Sequence, residues 1–283
     1  MKTSLPSNIT DEIKAGITLV GDDFDNLMLR KWYEEEKEAF YEHDSDSGDK
    51  DPWYRYMRYV NKLLVFRRIS AEIKVPGSIL FIGAGNGVEA NDFYMANPDW
   101  RLNFIEASDN FKSELLNRFP KSRVIEPCLS GDIRLENDSQ DVVCAFCVLH
   151  HIANVSHVMR EVYRILKPGG IFFIREPCSS MGDWRIARSA TPNERGISKA
   201  YMKRIATETG YNTVEKPTPI VFEPINKIIK KTIGYSVIPL SLLYVIDRVV
   251  SWSVAFNDYY WRDTWYKKIG PSSYHYVLCK PGK

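Results

Sequence analysis

The sequence has no long uncharged apolar stretch, few cysteines and almost no net charge, and each lack removes a class of protein. The uncharged run Ile233–Ile246 falls short of the ~20 apolar residues a bilayer crossing needs, and Pro239 and the pair Asp247-Arg248 weaken it further. No integral membrane span is expected. The opening residues Met1-Lys-Thr-Ser-Leu-Pro-Ser7 lack the apolar core of a secretion signal, so a cytoplasmic location is expected. A formal net charge of +2 gives no case for a nucleic-acid backbone as partner. The five cysteines, Cys128, Cys144, Cys147, Cys178 and Cys279, are scattered over apolar segments and read as reduced core residues. Cys144 and Cys147 spell C-x-x-C. Residues three apart on a strand point to opposite faces, so this pair cannot grip one metal, and no metal site is expected.

What the chain has is enough length for a sizeable core: 283 residues, room for one decorated α/β domain or two small ones. Its most informative stretch is Ile79-Leu-Phe-Ile-Gly-Ala-Gly-Asn-Gly-Val-Glu89. Four apolar residues make a short buried strand, and Gly83, Gly85 and Gly87 turn the chain into a helix. Side chains there would keep a ligand off the backbone, and such turns can require positive φ. Free N–H groups at the start of a helix favour anionic groups of a nucleotide-like ligand. The third glycine falls at Gly87, one residue early for the dinucleotide fingerprint, which places it at position 88.

A second apolar run, Leu102–Ile105, ends in Glu106. An acid at a strand end about 20 residues beyond the glycine turn can take ribose hydroxyls. Asp141 to Ile152 reads as a buried strand opening into the loop Cys147-Val-Leu-His-His-Ile152. Asn154 can cap the next helix, whose Val155, Val158, Met159, Val162 and Ile165 recur at helical spacing. Leu166-Lys-Pro-Gly-Gly170 is expected to end it, with Gly169 or Gly170 as the left-handed cap, and Ile171–Ile174 is the next strand.

The glycine loop, Glu106, Gly131-Asp132, Val148-Leu-His-His-Ile152 and Leu166-Lys-Pro-Gly-Gly170 resemble, in order and spacing, the class I S-adenosylmethionine-dependent methyltransferases. The resemblance covers about residues 78 to 177. It implies a Rossmann-like α/β fold: a seven-stranded, mostly parallel sheet whose last strand is antiparallel. It implies S-adenosylmethionine as cofactor and S-adenosylhomocysteine as product. Carried over, Gly83, Ala84, Gly85 and Gly87 would line the methionine part. Glu106, beside Ala107, would hold the ribose, and Asp132 would face the adenine amino group. The loop from Cys147 to His150 would pass under the methyl group. Phe81 stands where the family usually carries an acid, and Glu89 or an N-terminal residue is the candidate replacement. The family's Asn/Asp-Pro-Pro-aromatic signature for base amino groups is missing after the fourth strand, so nucleic acid is not the expected acceptor.

The expected partition is a helical N-terminal extension or cap over 1–75, the cofactor-binding core over 76–222, an aromatic helical insertion over 223–270 and a final strand over 271–283. Residues 1 to about 26 are polar and read as loosely ordered, and helices are expected over 27–42 and 53–73. Strands are expected near 78–83, 102–106, 122–127, 141–147 and 171–176, with a sixth over 211–222. The insertion reads as a lid, a homodimer contact or a membrane-surface helix, the last because Lys227, Lys230 and Lys231 precede its apolar run.

Transfer of a methyl group in line with its bond to sulfur needs an aligned nucleophile and, for a hydroxyl, a proton acceptor. His150, His151 and Glu176 are the candidate catalytic residues at strand ends. In the loop Met181–Gly196, Trp184 could stack on a sugar face, and Arg185, Arg188 and Arg195 could grip an anion. The expected reaction is methylation of oxygen or nitrogen on a small polar acceptor: a sugar, a sugar nucleotide or a surface glycan. The same residues leave open a silent methyltransferase-like subunit, and a methyltransferase for a lipid or quinone at the membrane surface.

Overall fold

A computed structural model describes residues 6, 8–41, 52–73, 76–184, 186, 191–221 and 239–282. Arg185, Arg188, Lys227, Lys230 and Lys231 lie outside the described residues.

The alternation of short apolar runs and amphipathic segments produces an eight-stranded sheet in the order β3-β2-β1-β4-β5-β8-β6, with β7 also on β8. The strands are β1 (Ser78–Ile82), β2 (Arg101–Ile105), β3 (Arg123–Ile125), β4 (Gln140–Phe146), β5 (Leu166–Pro177), β6 (Asn212–Thr213), β7 (Thr218–Ile220) and β8 (Ser273–Cys279). β1 to β5 are parallel, and β8 inserts antiparallel beside β5. Residues two apart on a strand share a face. Leu80 and Ile82 therefore join one core layer with Val158, Met159 and Phe172, while Ile79 and Phe81 join the other with Phe93, Trp100 and Phe104.

The expected sixth strand is two pieces. β6 pairs with β8 at Thr213↔Leu278, and β7 resumes at Thr218↔His275. Val214 N still donates to Val277 O at 3.0 Å, and Glu215-Lys-Pro217 then leaves the ladder, where a proline has no N–H to give.

Helices α5 (Val88–Ala96), α6 (Asp109–Arg118), α7 (Val155–Ile165) and α8 (Lys199–Thr209) flank the sheet. Two expected caps differ. Asn154 occupies the N-cap of α7 without a side-chain cap bond, and Asp22 Oδ1 accepts from Ser156 N at 2.7 Å instead. At the far end Leu166 is already extended, and Gly169, at φ 81°, gives its N–H to Lys280 O. Gly169 therefore serves the start of β5 and does not close the helix. Ser198 and Gly210 cap α8 as their types predict.

Among the described residues, 8–26 form defined structure where their composition suggested looseness. α1 (Asp11–Ala15) is capped by Thr10 and left-handed Gly16, and Leu19 and Val20 are buried. Two apolar side chains and the Asp22 cap anchor a segment that is otherwise polar. α2 (Asn26–Tyr41) follows, then α3 (Pro52–Asn61), a π turn Lys62–Phe66 and α4 (Arg67–Glu72). α9 (Leu240–Ser253) lies against α3 and β7.

Candidate cofactor and acceptor site

Past β1 the chain turns through Gly83, Gly85 and Gly87 at φ 62°, 52° and 78°. These left-handed angles suit glycine, but the space around each differs. A Cβ on Gly83 would come within 2.1 Å of Val148, and one on Gly87 within 2.5 Å of Phe119. A Cβ on Gly85 would meet nothing within 4 Å, because that residue faces a cavity. The cavity measures about 760 Å³ and is lined by Gly83, Ala84, Gly85, Glu106, Ala107, Asp132, Cys147 and His151, among others, whereas Gly87, expected beside them, packs toward Phe119 and Leu115 instead. That size suits a small-molecule site.

Glu106, at the end of β2, is buried. Its Oε2 accepts from Gly85 N at 2.8 Å, and its Oε1 accepts from Ala107 N at 2.8 Å and Ser108 N at 2.9 Å. Burial holds this carboxyl above the usual carboxylate range, and the N–H groups of Ser108, Gly85 and Ala107 pull it back. A carboxylate has about four acceptor sites, so three N–H donors leave room for a hydroxyl from the cavity. Asp132 sits on the outer rim. It accepts from Ser130 Oγ at 2.6 Å and lies 2.8 Å from His157 Nε2. Hydrogen bonds from Ser130 and His157 hold its carboxyl below the ordinary range.

The loop after β4 is shaped from beneath. Cys147 has φ 55°, and its N–H bonds to Arg175 O at 2.6 Å. Glu176, fully buried on β5, accepts from Val148 N at 2.9 Å and Leu149 N at 2.8 Å, and lies 2.7 Å from His150 Nδ1. Burial pushes the Glu176 carboxyl up to about 7, against the pull of the Leu149 and Val148 N–H groups. Burial and the charge of Arg195 push His150 down to about 3, so its ring is neutral. Burial pushes the Cys147 thiol up to about 11. His150 and Glu176 thus stand behind the loop. His151 lines the cavity, with Nδ1 2.8 Å from Glu36 Oε2.

The opposite wall comes from residues the sequence reading missed. Leu29, Trp32, Tyr33 and Glu36 of α2, spaced by three and four, all line the cavity, and Tyr54 of α3 joins them. That helical spacing was the available signal, although an apolar helix face does not reveal what it covers. Arg175, buried on β5, donates to Glu89 Oε1 at 2.7 Å and Asn61 Oδ1 at 2.8 Å, and lies over Phe146. Phe81 stacks on Phe104 in the core, while Glu89 reaches the cavity wall.

Two expected acceptor contacts go elsewhere. Trp184 is buried, donates to Ser180 O at 2.8 Å and meets Trp261 edge-on. Arg195 is fully buried. Its guanidinium donates to Val20 O, His150 O, Ile152 O and Ala153 O at 2.7 to 3.0 Å and lies over the Trp32 ring. Neither lines the cavity. The structure thus turns the Trp184 ring to the core, where stacking on a sugar was expected, and the Arg195 guanidinium to four backbone carbonyls, where an anion was expected. The loop also brings Glu194 to the histidines. His150, His151 and Glu194 each offer a possible metal-ligand atom, all within 4.8 Å of one another, with cationic Arg195 alongside to oppose a metal ion.

Residues 80–174 match the family model described as a methyltransferase domain. Among curated proteins, the human thiol S-methyltransferase TMT1A is 30% identical over 105 residues, which is 35% of this chain and 42% of that protein. Human thiol S-methyltransferase TMT1B is 28% identical over 129 residues, 42% of this chain and 52% of that protein. The chain spans about half the length of these curated relatives. The solved structure of the [4+2]-cyclase SpnF aligns with TM-score 0.56 and 12% identity over 86% of each chain, a likeness of fold alone.

Proposed function

Because residues 80–174 carry a class I S-adenosylmethionine-dependent methyltransferase domain, we propose that this chain transfers a methyl group from S-adenosylmethionine to a small acceptor with an apolar body and a hydroxyl or thiol nucleophile. One observation carries the reading. A single cavity runs from Gly85 and Glu106, past Cys147, to Trp32, Tyr33 and His151. The open space at Gly85 and the spare acceptor site on Glu106 fit the cofactor. When bound, the cofactor supplies an electrophilic methyl on a sulfonium.

The chain's own residues do the rest. Gly85 leaves room for the ligand, and Glu106 holds the ribose. The loop held by Glu176 sets the floor beneath the methyl group. His151, oriented by Glu36, is the proton acceptor for the nucleophile, since its ring is the one of the pair that meets the cavity. Burial holds His151 below its ordinary value, which keeps it neutral and able to accept.

The acceptor's character follows from the wall. Leu29, Trp32, Tyr33, Tyr54, Phe146 and Val148 favour an apolar body. The sugar and glycan expectation leaned on Trp184, Arg185, Arg188 and Arg195; Trp184 and Arg195 are occupied elsewhere, and Arg185 and Arg188 lie outside the described residues. The thiol substrates in the names of the human relatives agree with a soft nucleophile on an apolar molecule. The test is an acceptor screen that reads S-adenosylhomocysteine release with phenols, aryl and alkyl thiols, sugars and sugar nucleotides. Turnover of phenols or thiols is expected. Turnover of sugars alone would overturn the acceptor, and turnover of no compound with no cofactor binding would overturn the enzyme.

A further inference from the structure

The side α9 turns to the protein carries Leu243, Asp247 and Ser251, all buried, so its inner face is part polar. Asp247 accepts from Tyr56 Oη at 2.8 Å, Val221 N at 3.0 Å and Ser251 Oγ at 3.1 Å. Its outer side carries Leu242, Val245, Ile246, Val249 and Trp252, all exposed, and Phe256, just past the helix end, is exposed at 87%. At about 100° per residue the five helical residues span an arc of roughly 120°. Apolar stripes of that width are normally what a helix buries.

The patch continues beyond the helix. Asn257 Nδ2 donates to Tyr266 O and Ile269 O, tying the 265–269 turn to the end of α9. Trp265, Tyr266 and Ile269 of that turn are exposed, Trp265 at 76%. The charges nearby are basic. Arg248 lies over Trp252, and exposed Lys268 has no acid partner among the described residues. The nearby acids Asp258 and Asp263 are already paired with Lys199 and Lys267.

We propose that this face docks on the surface of a membrane containing anionic lipid. A stripe of aliphatic residues with tryptophan, tyrosine and phenylalanine, rimmed by cations, is the chemistry that enters the headgroup boundary and lies in its plane. Among the described residues no helix is long and apolar enough to cross a membrane, so the contact is peripheral. The apolar side chains enter the acyl boundary, the aromatic rings sit at headgroup depth, and Arg248 and Lys268 meet lipid phosphates. Tyr54 lines the cavity two residues from Tyr56, which anchors α9, so the docking face and the cavity wall share α3. The docking does not depend on which acceptor the cavity takes.

The test is flotation of the purified full chain with phosphatidylcholine vesicles, with and without phosphatidylglycerol. Wild-type protein is expected to float with the mixed vesicles, less with neutral ones, and less again at high salt. The combined variant Val245→Ser/Val249→Ser/Phe256→Ser should lose at least tenfold of the bound fraction. Lys268→Glu should weaken binding to the mixed vesicles alone. Unfolding midpoints and calorimetric S-adenosylmethionine affinity, read on each variant, separate loss of docking from loss of fold or cofactor. The proposal is overturned if wild type stays with the soluble fraction, or if the triple variant floats as well as wild type. It is also overturned if wild type is a dimer in solution that the triple variant dissociates, since a second copy then covers the face.

Discussion

The Glu176 carboxylate stands 2.7 Å from His150 Nδ1 and accepts from the main chain on the same loop, so one buried side chain fixes both the ring and the floor of the cavity. Glu176→Ala leaves those N–H groups without an acceptor and should cost about 3 kcal/mol of stability. Glu176→Gln keeps an acceptor oxygen and should cost less. Chemical denaturation of both variants decides, and equal losses would mean that the charge and second acceptor oxygen, which both variants lack, set the cost and not the single oxygen that Gln retains.

Gly85 and Glu106 can be tested against the cofactor alone. Gly85→Ala puts a methyl into the cavity at a left-handed residue, for about 1 kcal/mol of strain. It should lower S-adenosylhomocysteine affinity more than tenfold while the fold survives. Glu106→Ala should do the same by removing the ribose acceptor. Calorimetric affinities within twofold of wild type would place the cofactor elsewhere.

His151 is the cavity-facing histidine, and His151→Ala should lower kcat by about 100-fold or more for an acceptor that must lose a proton. Cofactor affinity should stay near wild type. An acceptor already ionised at the assay pH should be spared, so a series of phenols of falling pKa gives the readout. A uniform loss across the series would make His151 a wall and not a base.

Arg195 should behave as a brace. Arg195→Lys cannot feed four carbonyls with a planar fork, and an unfolding midpoint lower by several degrees is expected. KM for the acceptor should barely move in the folded variant. A large KM change with an unchanged midpoint would return Arg195 to the substrate.

His275 gives the chain an acid weakness. Its ring is buried, neither nitrogen has a hydrogen-bond partner among the described residues, and burial with the charges of Arg175, Arg248 and Arg68 pushes it down to about 3 from 6.5. A depressed histidine contributes stability that is present above its unfolded value and is lost as pH falls toward the folded one. Between pH 6.5 and 3 the unfolded chain takes up a proton that the folded ring refuses, worth up to about 1.4 kcal/mol per pH unit. His275→Leu should flatten the fall of the midpoint across that window. Parallel curves for variant and wild type would refute it.

What the sequence disclosed was what depends on near neighbours. The apolar runs in Ser78–Ile82 and Gln140–Phe146, the glycine turn and the position of Glu106 all follow from short stretches of composition and from backbone angles. What stayed hidden were choices of partner across the chain. Asn154 was the reasonable cap for α7, yet Asp22, 134 residues away, took the place. Arg195 had the composition of a ligand grip, but whether an arginine faces a cavity or a bundle of carbonyls is settled by tertiary packing. Trp32 and Glu36 had helical spacing without any sign that His151 and the cavity lay beneath them.

Asp22 binds α7 through Ser156 N and α8 through the Tyr201 hydroxyl, from a segment made long before either helix. On a ribosome the amino end emerges first, and domains generally fold from that end. Asp22 is made early, but it can close its first bond only when Ser156 has been made and its second only when Tyr201 has, so this clasp between two helices forms late.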